Sequence, residues 1–218
     1  MLKDSIGIIG GTGPEGKGLS LRLGLAGLRI YIGSRNKNKA QAALDSLLEC
    51  HPEIDAVGLS NEEVAVAADL IFIAVPYIAQ IPTLKALEKF IDGKTVVVVV
   101  APIHFREGVA MAIPVDEGSA AMQVKKLLPN SSVVSAFQTI SHSDLLDINS
   151  PINADVVVCS DRDDTRRLVM DIAEKIDGIR AVNGGGLENS VFLENFVALL
   201  INLNKLHKTN TSIKFVGI

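Results

Sequence analysis

The stretch "IGIIGGTGPEGKG", residues 6 to 18, followed by "IYIGSR" at 30 to 35, decides how this chain is read. The first four residues are apolar, as in a buried strand. Three glycines follow, and Pro14 then opens a run that fits a helix, at the first-turn position where its missing N–H costs nothing. Gly11-Thr12-Gly13-Pro14-Glu15-Gly16 matches G-x-G-x-x-G between a strand and a helix, the context that gives the motif meaning. Gly11 is read as permitting the tight turn, Gly13 as letting a pyrophosphate approach the backbone, and Gly16 as letting helix and strand pack closely. Free N–H groups at the helix start then face the anion. A ligand-free glycine turn is the competing reading.

The second stretch selects the cofactor. Dinucleotide sites for NAD carry Asp or Glu at the end of the second strand, where it bonds the ribose 2′-hydroxyl. Here the strand ends in Gly33-Ser34-Arg35. Arg35 can pair with a 2′-phosphate, Ser34 can donate to it, and Lys39 lies one helical turn further on. Thr12 could add a hydroxyl. The pattern favours NADP(H), against a solvated basic patch.

Working outward, β-like and helix-like segments alternate, so the expected class is α/β, a Rossmann-type doubly wound and mostly parallel sheet. Strands are expected at Ser5–Gly10, Arg29–Gly33, Ala56–Leu59, Leu70–Val75, Thr95–Val100 and Ser132–Phe137. Helices are expected over Pro14–Ala26, Asn36–Glu49, Ile78–Phe90 and Gly118–Leu128, with Asn61 capping another that runs to Ala68. A small C-terminal α/β domain is expected from residue 149 to 218 after a dinucleotide-binding domain of residues 1–148. It comprises strands Asp155–Cys159 and Ile179–Val182, helix Asp163–Ile176 and a long apolar helix, Leu187–His207.

Composition narrows the function. The chain has 218 residues, 48% hydrophobic and 21% charged, with net charge −4 and no basic run, so no nucleic-acid partner is expected. The apolar run "TVVVVVAPI" from Thr95 is shorter than the roughly 20 residues of a membrane helix, and no membrane association is expected. Cys50 and Cys159 form neither a framework nor a metal pair, which suggests a reduced, cytoplasmic protein. His51, His104, His142 and His207 show no metal-ligand spacing, so no metal is expected. His104 and His142 follow the fifth and sixth strands, where ligands bind in open parallel sheets, and loop histidines are equally common there. Asp161, Asp163 and Asp164 read as a helix start. No acid–base pair stands out, so no catalytic side chain is named. Hydride transfer between two organic rings needs positioning more than proton transfer.

These residues resemble a known family, the NADPH-dependent reductases of the deazaflavin coenzyme F420. The resemblance runs through "GIIGGTGPEGKGLSLRLG", "IGSRNKNKA", "DLIFIAVPY", "SAFQTI", "VCSDRDD…IDGIRAVNGGGLENS" and the "IKF" tail. It implies direct hydride transfer between NADP(H) and coenzyme F420 across a cleft closed by the C-terminal unit. It also implies that Thr12, Gly13, Ser34, Arg35 and Lys39 hold NADP. Val75, Pro76 and Tyr77 would line the cofactor. Ala101, Pro102, Gln138, Thr139, Ile140 and Asn189 would line the deazaflavin side. Two positions depart from the family pattern: Gln138 stands where His is usual, and Ile140-Ser141-His142 where Ile-Pro-Ala is usual. His142 would compensate from four residues on. Alternatives are an NADPH-dependent reductase of another small imine or carbonyl, with His142, His104 or Tyr77 as proton donor, and a non-enzymatic NADP(H)-sensing module. The long C-terminal helix suggests a homodimer.

Overall fold

A computed structural model describes residues 5–218. Six strands form one parallel sheet in the order β3-β2-β1-β4-β5-β8. They are β1 (Ser5–Ile9), β2 (Arg29–Ser34), β3 (Ala56–Ser60), β4 (Leu70–Ile73), β5 (Thr95–Val98) and β8 (Ser132–Ser135). The sequence-expected strands are all present, and the class is Rossmann-type α/β. The strands are almost wholly apolar because helices cover both faces. On β1, Ile6 and Ile8 face one core with Ile30, Ile32, Leu70, Phe72, Val97 and Val134. Ile9 faces the other with Ile71, Ile73, Val96 and Val98. This is the two-residue alternation of a strand buried on both sides.

The helices between strands are α1 (Pro14–Leu25), α2 (Lys37–Cys50), α3 (Asn61–Ala67), α4 (Tyr77–Ile91) and α5 (Ala120–Leu127). Strand order reverses between β1 and β4, which makes their carboxyl ends the place for a ligand. After β8 come a short helix α6 (His142–Leu146), β9 (Ala154–Val158), α7 (Asp163–Ala173), β10 (Ile179–Asn183) and α8 (Ser190–His207). Strands β9 and β10 form their own parallel pair, joined to β8 by reciprocal backbone bonds of 2.9 and 3.0 Å between Ser135 and Cys159. Their apolar face, with Val156, Val158 and Val169, continues the core that begins under β1.

Four local features differ from the sequence-based expectation. Asn61 is not a cap: Ser60 is, because Ser60 and Glu63 form a reciprocal capping box (3.1 and 2.8 Å) and Asn61 becomes the first helical residue. The expected Leu187–His207 helix is divided into a 3-10 turn, Leu187–Asn189, and α8. A hairpin, β6 (Ile103–Arg106) and β7 (Val109–Ala112), fills a segment without an expected strand. Helix α6 was also not expected. It is fixed by buried Arg22 of α1, which donates to the carbonyls of Leu145 (3.0 Å), Asp144 (2.9 Å), Ser150 (3.1 Å) and Asp147. No helix among the described residues is long and apolar enough to cross a membrane.

Candidate functional site

The glycine turn is built by two close approaches. Gly10 has φ +82°, so the left-handed turn residue is Gly10 rather than Gly11, which the motif reading had chosen. Gly11 instead lies buried, its N–H donating to Gly33 O at 2.9 Å and tying the turn to β2. A Cβ on Gly16 would meet Gly11 Cα at 2.6 Å and Gly10 O at 2.7 Å, both backbone, so only glycine lets α1 start this close to β1. Gly13 is the N-cap residue of α1 and supplies no side-chain cap, and Pro14 has no N–H. The helix therefore starts with its positive end uncapped by any side chain.

A cavity of about 360 Å³ opens at that end. It gathers Thr12 and Gly13 from the turn, Ser34, Arg35 and Lys39 from the end of β2 and the start of α2, and Val75 and Pro76 from beyond β4. Ser34 is buried, and its hydroxyl accepts from Asn36 N at 3.2 Å. Lys37 is committed to Glu63 at 2.6 Å, and its ammonium holds that carboxyl down at about 2. Arg35 and Lys39 have no carboxylate partner among the described residues. The cavity thus carries two uncommitted cations and a hydroxyl where an NAD site carries an acid. Asn61 also lines it, buried, with Oδ1 lacking a hydrogen-bond partner among the described residues. The sequence reading missed Asn61 as a site residue; the capping box at Ser60–Glu63 was the available signal.

A second cavity, of about 420 Å³, lies between α1, the segment after β8 and α8. Glu15, Gln138, Thr139, Ile140 and His142 line it, facing Val197, Leu200 and Ile201 of α8. Gln138 is buried, and its Nε2 donates to Ser135 Oγ at 2.9 Å. The remaining expected site residues lie elsewhere. Pro14 is exposed at the α1 start, and Gly11 and Gly16 are buried beneath the turn. Tyr77 begins α4 and packs on the second core. Ala101 and Pro102 lie between β5 and the hairpin, outside both cavities. Asn189, on the 3-10 turn, donates to Gly184 O at 2.8 Å. His104 is exposed on β6, paired across the hairpin with Met111. Of the two candidate histidines, His142 alone lines the second cavity.

Comparison with known proteins gives the family. The family model for coenzyme F420-dependent NADP oxidoreductases matches residues 5–102. A protein of Methanocaldococcus jannaschii named F420-dependent NADP reductase is 37% identical over 221 residues, covering 98% of each chain. The chain belongs to the F420-dependent NADP reductase family. A second family member so named, from Methanothermobacter marburgensis, is 40% identical over 205 residues, 91% of this chain and 92% of its own. Among solved structures, one from Arthrobacter sp. FB24 described as an F420-dependent NADP reductase superposes with TM-score 0.83 over 97% of this chain and 98% of its own, at 22% identity. The similarity of fold extends to a reductive aminase from Aspergillus terreus, TM-score 0.65 at 16% identity, covering 94% of this chain and 62% of that one.

Proposed function

We propose that this enzyme transfers a hydride directly between NADP(H) and the deazaflavin coenzyme F420. The observation that carries the cofactor half is the pair of uncommitted cations, Arg35 and Lys39, beside buried Ser34 at the end of β2. These fit a 2′-phosphate, and the uncapped start of α1 fits the pyrophosphate. Family membership carries the acceptor half.

In this reading Thr12, Gly13 and the first turn of α1 bind the phosphates, Ser34, Arg35 and Lys39 select the 2′-phosphate, and Val75, Pro76 and Tyr77 flank the cofactor. Gln138, Thr139, Ile140, His142, Ala101, Pro102 and Asn189 belong to the deazaflavin side. When bound, the nicotinamide supplies the hydride and the deazaflavin ring accepts it. The protein's own contribution is to hold the two ligands in register and to keep water from between them. We assign residues 149–218 the task of closing the deazaflavin side. The apolar residues that α8 leaves exposed, Phe192, Phe196, Leu199 and Leu206, support a homodimer, and the unpaired Cys50 and Cys159 support a cytoplasmic setting.

The test is to mix the protein with oxidised coenzyme F420 and NADPH, with NADH as control, and follow the visible absorbance of the deazaflavin. The expected result is bleaching with NADPH and little with NADH. Tight NADPH binding without bleaching would assign the second cavity to a different acceptor.

A further inference from the structure

Glu15 occupies an unusual position. As the second residue of α1 it stands at the positive end of a helix, where an ionised carboxylate is ordinarily favoured. Its carboxyl nevertheless turns into the second cavity, and Oε1 is shut off from solvent with no hydrogen-bond partner among the described residues. Burial pushes the group up to about 8. No neighbouring cation among the described residues offsets this. The part of α8 lining the cavity contributes Val197, Leu200, Ile201 and Asn204, none of them charged. From α6, His142 lines the same cavity, while Asp144 is held by Asn210 at 2.8 Å. On α1 itself, Lys17 lines a separate recess with Ser46 and Cys50, and Arg22 is committed to backbone carbonyls. The Nε2 of Gln138, the donor end of its amide, already donates to Ser135 Oγ. Among the described residues lining this cavity, Glu15 Oε1 is therefore the buried side-chain oxygen with nothing to bond.

Buried polar atoms in native proteins are nearly always paired, and an exception in a ligand-sized cavity calls for an explanation in what enters it. We propose that Glu15 is a specificity-determining residue for the second substrate: its neutral carboxyl presents an O–H to a hydrogen-bond-accepting, electron-rich edge of a planar heterocycle, and its ionised form rejects that edge. The inference rests on reading this cavity as the deazaflavin side. It gives the site a proton-dependent affinity without any step in the hydride transfer itself. At neutral pH the group is mostly neutral and donates. As pH rises through about 8 it loses its proton, the donor disappears, and a negative charge faces the acceptor edge.

The experiment measures binding rather than turnover. Oxidised coenzyme F420 is titrated against the NADP⁺-loaded protein, a pair that cannot react, and its own fluorescence is followed from about pH 6 to about pH 10. Wild type should lose affinity roughly tenfold per pH unit above about pH 8, as expected for one proton linked to binding. Glu15→Gln keeps a neutral donor and should be flat over that range. Glu15→Leu removes the donor and should bind at least about tenfold more weakly than either at neutral pH, the loss of one good hydrogen bond. NADP⁺ binding, measured in parallel, should be retained by both variants and serves as the folding control. The same alkaline fall in wild type and Glu15→Gln would overturn the role of Glu15 and leave the proposed activity standing. F420 binding to none of the three proteins, with NADP⁺ bound by all, would overturn the acceptor assignment and the Glu15 proposal together.

Discussion

Helices α1 and α5 begin at opposite ends of the same design problem. The start of α5 is closed completely. Ser119 caps it by accepting from Met122 N at 3.0 Å, and Glu194 reaches over from α8 to accept from Ala120 N at 2.6 Å and Ala121 N at 3.1 Å. Ser119 Oγ also meets Ser190 Oγ at 2.7 Å. The start of α1 has a glycine N-cap, a proline, and a glutamate whose buried Oε1 accepts nothing among the described residues. Both helices face the carboxyl end of the sheet, so the fold does not dictate the difference. Where the chain spends a carboxylate on a helix start, that end becomes structure. Where it withholds one, the free N–H groups remain for a ligand's phosphates.

The comparison breaks most visibly at Glu194. Removing its carboxylate leaves the N–H groups of Ala120 and Ala121 buried with no acceptor, a cost of about 2–4 kcal/mol for Glu194→Ala. Chemical denaturation should show this loss, while NADPH affinity in the folded protein should hardly change. Burial raises the Glu194 carboxyl to about 7, against its ordinary 4.5 in the unfolded chain. Its folded form thus holds the proton more tightly. The stabilisation is fully present below about pH 4.5 and is lost as pH rises through about 7. The gap between wild type and variant should therefore be widest in acid and narrow toward pH 8. A gap that widens with rising pH would show that the two backbone bonds outweigh desolvation at this site.

At the open helix start the expected loss moves from stability to affinity. Arg35→Asp removes a cation and places an anion beside the 2′-phosphate. NADPH binding should weaken by about 1–3 kcal/mol, with NADH binding and thermal stability nearly unchanged, since Arg35 is exposed and has no carboxylate partner among the described residues. Calorimetric titration of both dinucleotides checks this. Equal weakening for NADPH and NADH would mean that Arg35 supports the cavity in general rather than reading the phosphate.

These two helix starts also show how far the sequence is legible. The α1 start was readable because everything it uses is local: strand, glycines and helix follow one another, and Ser34-Arg35 comes one element later. The sheet was readable for the same reason, since strands buried on both faces leave unbroken apolar runs such as "TVVVVV". The sealing of α5 was not, because Glu194 lies 74 residues from Ala120. The hairpin after β5 escaped notice for a similar reason. Its strands are short and largely exposed, and Asn202 of α8 secures it by two bonds of 2.9 Å to Ala110, 92 residues away. Glu15 looked like an ordinary acid at a helix start. What makes it unusual is the segment from Gln138 to Ser143 and the middle of α8 closing over it, which no local pattern records.

The smallest effect separates the two cations of the open end. Lys39 lies one turn beyond Arg35 and reaches the same cavity from an exposed position. An ammonium there acts as a point charge in high dielectric, with none of the paired donors that a guanidinium aligns on a phosphate. Lys39→Ala should weaken NADPH binding by only about 0.3–1 kcal/mol, and chiefly at low ionic strength. The difference from wild type should fade as salt rises toward about 1 M, where the screening length shrinks to about 3 Å. Affinities measured at low and high salt for both variants decide the matter. If Arg35 bonds the phosphate directly, the Arg35→Asp loss persists in high salt and the Lys39→Ala loss does not. Two losses that fade together would make the pair a diffuse positive field, and the selection of NADPH over NADH would then rest mainly on the buried hydroxyl of Ser34.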